Sequence, residues 1–193
     1  MGNNNKKMNK LIVYLRILYR FLLKDIESKQ ENVVWKELKK FFAEFDWKYG
    51  IYEQDKCIEV WFNSQYDKPI RYRYGIYDKC FYSQANVWEN FPVELTSDVF
   101  ILAQHFNNLL SNGIMIVDIE SRSVSYFWKN NILFPYLYKA MFGNRIDSHV
   151  HTAQEINWAF QKLVEENEAP AIIIADLLKK KSEEEKQSKA GQS

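Results

Sequence analysis

Between Trp47 and Trp88, apolar and aromatic residues recur at every second position in four short runs. Trp47, Tyr49 and Ile51 alternate with Lys48 and Gly50. Ile58, Val60 and Phe62 alternate with Cys57, Glu59 and Trp61. Ile70, Tyr72, Tyr74 and Ile76 alternate with Arg71, Arg73 and Gly75, and Phe81, Ser83, Ala85 and Val87 with Tyr82, Gln84 and Asn86. A half-buried strand has this period of two, because successive side chains leave opposite faces of a sheet. The breaks between runs are short and rich in turn formers: Gln54-Asp55-Lys56, Asp67-Lys68-Pro69 and Tyr77-Asp78-Lys79. Connections of that length make neighbouring strands antiparallel.

Helical periodicity flanks the runs. Asn32 reads as the N-cap of a helix over 33–45, with Val34, Leu38, Phe41, Phe42 and Phe45 as its apolar stripe. Pro92 stops the fourth strand, and Thr96 or Ser97 is expected to cap a helix over 97–111 with Asp98 in its first turn. Val99, Leu102, Phe106, Leu109 and Leu110 form its inward face, and Asn112-Gly113 is the expected stop. A second hairpin follows, Ile114 to Ile119 and Val124 to Trp128, turning at Glu120-Ser121-Arg122-Ser123. Residues 130–150 resist assignment, and the run Phe134–Tyr138 reads as the opening of a short helix that ends at Gly143-Asn144. A longer helix is expected over 152–166, with Ile156, Ala159, Phe160, Leu163 and Val164 inward. Pro170 breaks or kinks it, and helix resumes over 171–180.

The fold class this predicts is α+β: an antiparallel sheet with helices packed on one face, in the order α-α-ββββ-α-ββ-α. Candidate core residues are Leu38, Phe42, Val60, Phe62, Tyr74, Leu102, Phe106, Ile116, Ile156 and Phe160. The chain has 193 residues, the size of one domain with appended segments. Residues 1–31 read as an N-terminal extension, 32–180 as the domain and 181–193 as a charged disordered tail. Within the extension, Leu11, Leu15, Leu18 and Leu22 share one face of a helix over 10–29, opposite Arg16, Arg20 and Lys24. The apolar run there is too short and too charged to span a bilayer, and no cleavage site follows it. The chain is therefore expected to be cytoplasmic. Cys57 and Cys80 then read as buried free thiols, with a disulfide left open should their strands be neighbours in register.

The stretches WKELKKFFAEFDWKYGIYEQDKCIEVWF, IRYRYGIYDKCFYSQANV and GIMIVDIESRSVSYFW carry a resemblance. From Trp35 to about Lys180 the chain resembles the YbjN family and, more broadly, the type III secretion chaperone-like fold. The helix at 10–29 is extra to that pattern, and 130–150 is longer and more aromatic than the pattern has. The resemblance implies a protein–protein interaction role, chaperone-like or regulatory, frequently dimeric, with no enzyme activity.

The residues themselves offer little chemistry. No Gly-x-Ser-x-Gly and no phosphate-cradling glycine loop is present, so no catalytic residue and no cofactor site is assigned. His149 and His151 could meet one metal if 149–151 were a strand, with Asp147 as a third ligand, but a polar loop before a helix cap is the plainer reading, and no metal is assigned. His105 reads as a partly exposed helix position. Glu165, Glu166 and Glu168 read as a solvated face.

The remaining surface is aromatic and basic. On a strand, Arg71 and Arg73 share one face, which also carries Trp61 and Tyr82 from the neighbouring runs. These four form the candidate protein-binding surface. Tyr, Trp and Arg dominate protein interfaces, and the same groups can stack single-stranded nucleic-acid bases. A net charge of +1 does not favour phosphate binding. Three occupants stay open: the N-terminal helix or a second copy of the chain, a protein partner of unknown identity, and single-stranded nucleic acid. A membrane-surface adaptor anchored by residues 6–24 is the alternative that the basic helix offers, and it is not favoured.

Overall fold

The structure is a computed structural model that describes residues 27–63, 69–132 and 139–190. Among these residues the protein is α+β, with a six-stranded antiparallel sheet and four helices. The elements are α1 Glu27–Phe42, β1 Tyr49–Tyr52, β2 Cys57–Asn63, β3 Pro69–Tyr77, β4 Cys80–Trp88, α2 Thr96–Leu109, β5 Ile114–Asp118, β6 Ser123–Asn131, α3 Lys139–Val164 and α4 Pro170–Ala190. The strand order is β1-β2-β3-β4-β6-β5. No helix among the described residues is long and apolar enough to cross a membrane. The described chain divides into two compact units, one taking 27–61, 72–83, 129–132 and 139–149, the other 62–63, 69–71, 84–128 and 150–190.

In the first unit α1 lies on β1 and β3 through its apolar stripe. The Phe42 ring meets Tyr49 at 5.6 Å and Tyr74 at 5.8 Å. Phe142, on the first half of α3, meets Phe41 and Phe81. Val34, Leu38, Ile58, Val60, Tyr72 and Tyr74 are wholly buried there. A polar row on α1 grips the turns that end the strands. Glu31 accepts a bond from Lys56 Nζ at 2.7 Å and another from the Lys79 backbone N–H at 3.1 Å. Four and eight residues further on, Trp35 Nε1 and Lys39 Nζ both donate to Glu53. The turns need that hold, because Lys56, Asp78 and Lys79 all sit at positive φ. Two consecutive positive-φ residues between β3 and β4 are the mark of a tight primed hairpin turn.

In the second unit α2, the latter half of α3 and α4 surround Val87, Val99, Leu102, Phe106, Met115, Val124, Ile156, Phe160 and Ile173, all buried. Asn157 Nδ2 donates to the Val87 carbonyl at 2.7 Å. Tyr126 donates to the Asn112 carbonyl at 2.9 Å, and burial pushes its hydroxyl up to about 12.

Several expectations are corrected. Asn32 is not a cap: α1 already begins at Glu27, since ESKQE contains good helix formers and nothing halts the helix before Asn32. Residues 10–26 of the expected first helix lie outside the described residues. The helix ends at Phe42, and Phe45 folds back in a turn to stack on Trp47 at 4.3 Å. Thr96 begins α2 and is not its cap, since its hydroxyl donates back to the Val93 carbonyl at 2.6 Å. The helix leaves through an extended Leu110, and Leu109 is exposed. Gly143-Asn144 ends no helix and sits inside α3; the run 134–138 lies outside the described residues. The element order is therefore α-ββββ-α-ββ-α-α among the described residues. Its last helix runs from Pro170 to Ala190, past Lys181, where an unstructured tail is expected. Lys, Glu, Gln and Ala, which dominate that end, have high helix propensity. Two core assignments also change. Phe62 is half-buried, and Ile116 is 43% exposed because Met115 and Val117 take the inward positions of β5.

Candidate protein-binding surface

Strand pairing puts three of the four candidate residues, Trp61, Arg73 and Tyr82, on the side of the first unit's sheet away from α1. Tyr52 pairs with Cys57 and Gly50 with Glu59, so these four, and Trp61 by alternation, share one face. Arg73 joins them from β3, because its Nε lies 2.7 Å from Glu59 Oε2. Tyr82 joins from β4 by lying over Gly75. A Cβ on Gly75 would come within 2.7 Å of both the Tyr82 ring and the Lys56 carbonyl oxygen. Glycine is thus required at 75 for this ring to lie flat on the strand.

Each of the three behaves differently. Trp61 is 49% exposed. It is a large ring presented to solvent on a rigid strand. Arg73 has its side chain 47% exposed and its partner Glu59 only 6% exposed. The hydrogen bond to Glu59 holds the guanidinium above its usual pKa. Tyr82 is half-buried with its hydroxyl beside the Cys57 thiol, whose Sγ donates to the Ile58 carbonyl at 3.7 Å. Burial raises both groups. A thiol shifted that way is protonated at neutral pH and a poor nucleophile. Both cysteines are free.

Arg71 belongs to the second unit. It donates to Glu89 Oε1 at 3.0 Å, and Asn86 Nδ2 donates to the same oxygen at 3.1 Å. Ser125 Oγ donates to Asn86 Oδ1, and Gln84 reaches Ser125, so Arg71 ends a chain of polar groups across β4 and β6. Glu59 and Glu89, the partners of the two arginines, carry no motif in the sequence. The signal for Glu59 is its place two residues before Trp61, which puts its carboxylate on the arginine face once β2 and β3 are neighbours.

The histidines do not converge. Residues 149–151 are helical, so positions two apart diverge, and His149 is buried while His151 is exposed. His149 Nδ1 lies 3.3 Å from the Tyr74 hydroxyl, and its ring meets Tyr72 and Tyr74 edge-on. Among the described residues no group of three or more His, Cys, Asp or Glu could hold a metal. His105 is half-buried. Glu166 and Glu168 both take Lys162 Nζ, at 2.9 and 3.0 Å, beyond the end of α3.

No family model matches this chain, and a search of curated proteins finds no match.

Proposed function

We propose that this chain is a non-enzymatic protein–protein interaction module, chaperone-like or regulatory, that binds a protein partner or a second copy of itself through the Trp61 side of the first unit's sheet. The observation that carries the reading is Trp61, 49% exposed on a strand beside an arginine whose charge is already matched. Tryptophan is among the residues most enriched at the energetic centres of protein interfaces. The pairing of Arg73 with Glu59 and of Arg71 with Glu89 favours protein over nucleic acid, since a phosphate-binding face needs uncompensated cations. The resemblance to the YbjN family supplies the regulatory or chaperone-like cast of the reading.

The test is capture from cell extract with the native chain and with Trp61→Ala in parallel, alongside light scattering of both. The expected result is a protein, or a second copy of the chain, held by the native chain and lost by the variant. A variant that keeps every bound protein and the same molar mass places the contact elsewhere. Arg73→Ala is a poorer probe, because it strands a buried carboxylate as well as removing a surface group.

A further inference from the structure

Asn112 is the only asparagine of the chain that a glycine follows. The pair lies in the short connection between α2 and β5. Asn112 is exposed, and its Nδ2 donates to Ser111 Oγ at 3.2 Å. The side-chain carbonyl carbon of an asparagine can reach the backbone nitrogen of the next residue, which that residue's own side chain ordinarily shields. Glycine leaves the nitrogen open. The fold allows nothing else at this position. Gly113 has φ of +79°, and a Cβ on it would lie 2.6 Å from the Tyr126 ring and 2.7 Å from the Phe127 carbonyl oxygen. An exposed asparagine amide is thus kept beside an unshielded peptide nitrogen by the packing of β6.

Tyr126 adds a second, independent observation. Its hydroxyl donates to the Asn112 backbone carbonyl oxygen at 2.9 Å. That oxygen and the Gly113 nitrogen belong to one peptide amide, across which charge is delocalised. When the nitrogen loses its proton, negative charge spreads onto the oxygen, and a donor fixed there stabilises the ionised amide more than the neutral one. We propose that Asn112-Gly113 is a self-modifying site, deamidating in the folded chain with Tyr126 as the positioning residue. The Gly113 nitrogen gives its proton to solvent, and its electron pair forms a bond to Asn112 Cγ. The Cγ–Nδ2 bond breaks, and Nδ2 takes up a solvent proton and leaves as ammonia. Water then opens the succinimide ring at either carbonyl, leaving aspartate or isoaspartate at position 112. No oxidant or reductant takes part. In the isoaspartyl product the main chain runs through the former side chain, and Tyr126 faces a free carboxylate in place of a peptide carbonyl. The site shares no residue with the Trp61 surface and does not depend on it.

The experiment ages the full chain at physiological temperature and mildly alkaline pH, native against Tyr126→Phe, each folded and in concentrated guanidinium chloride. Peptide mapping by mass spectrometry reads conversion of amide to acid at position 112, and enzymatic methylation of the free α-carboxylate reads isoaspartate. The folded native chain is expected to convert at Asn112 ahead of every other asparagine, and at least as fast as the denatured chain. Tyr126→Phe keeps the ring against Gly113 and removes only the hydroxyl, and it should slow conversion in the fold roughly 3–10-fold. In guanidinium the two chains should convert at one rate. Should the variant fail to fold, the folded and denatured native chain decide alone. A folded native chain that converts more slowly than the denatured one overturns the proposal. So does a folded Tyr126→Phe variant that converts as fast as the native chain, or a difference between the two that persists in guanidinium.

Discussion

Arg73 and Glu59 meet with one partner half in solvent and the other almost wholly out of it. Removing the exposed partner therefore acts on the buried one. Arg73→Ala leaves the Glu59 carboxylate desolvated without its donor, a loss of about 1–3 kcal/mol, visible as a lower urea midpoint. Adding Glu59→Gln should recover part of that loss. Glu31 predicts a pH effect of definite sign. The Lys56 hydrogen bond holds its carboxyl below the ordinary 4.5. A depressed folded value means a contribution that is complete above the unfolded range and fades as pH falls through the lower folded value. Glu31→Gln should cost roughly 1 kcal/mol near neutrality and flatten stability between neutral and acid pH, measured by urea titration at several pH values. The arginine face was legible from the period of two alone. Its carboxylates were not, because a contact across strands depends on register, and register is set by turns such as Lys56 and Asp78-Lys79. IMIVDI is apolar at both parities, so alternation alone does not say which set turns inward, and Ile116 proves to be exposed.

At the scale of elements, the hairpin of β5 and β6 depends on how the chain enters it. Gly113 has φ of +79°, and a Cβ there would lie 2.6 Å from the Tyr126 ring and 2.7 Å from the Phe127 carbonyl oxygen. Gly113→Ala should cost roughly 2–4 kcal/mol, from the left-handed backbone and the overpacking together, read as a fall in thermal midpoint. The glycine reads in the sequence as a helix stop; its role in the structure is to let β6 approach. The strands between Trp47 and Trp88 were legible because both faces were marked, apolar on one and mixed on the other. The first half of the helix Lys139–Val164 was not, because Gly143-Asn144 imitates a terminus and Asp147-Ser148-His149 reads as a polar loop before the helix expected over 152–166. Burial of Phe142, Ile146 and His149 outweighs the modest propensity cost of the glycine.

For the molecule as a whole, stability and the proposed contact are separable at Trp61. Trp61→Ala should cost about 1–2 kcal/mol of unfolding free energy, well below the loss of a core ring, because about half of the residue is already exposed. A larger loss in the urea curve would mean that the ring belongs to the fold and not to a partner. The α+β class was legible from the succession of periods, about four, then two, then four, then two again, then four. The closing helix was legible only to Lys180, because a charged end with few apolar residues reads the same whether it is wound or loose.

The grip of Glu31 on Lys56 and on Lys79 reaches beyond its own energy. One carboxylate fastens two reversals of the chain that are far apart along it, so neither can loosen while α1 stays in place. Local opening at that end is then a single event. The backbone amides of both reversals should trade hydrogen for deuterium at one common rate, set by release of the helix, and Glu31→Gln should split that rate in two.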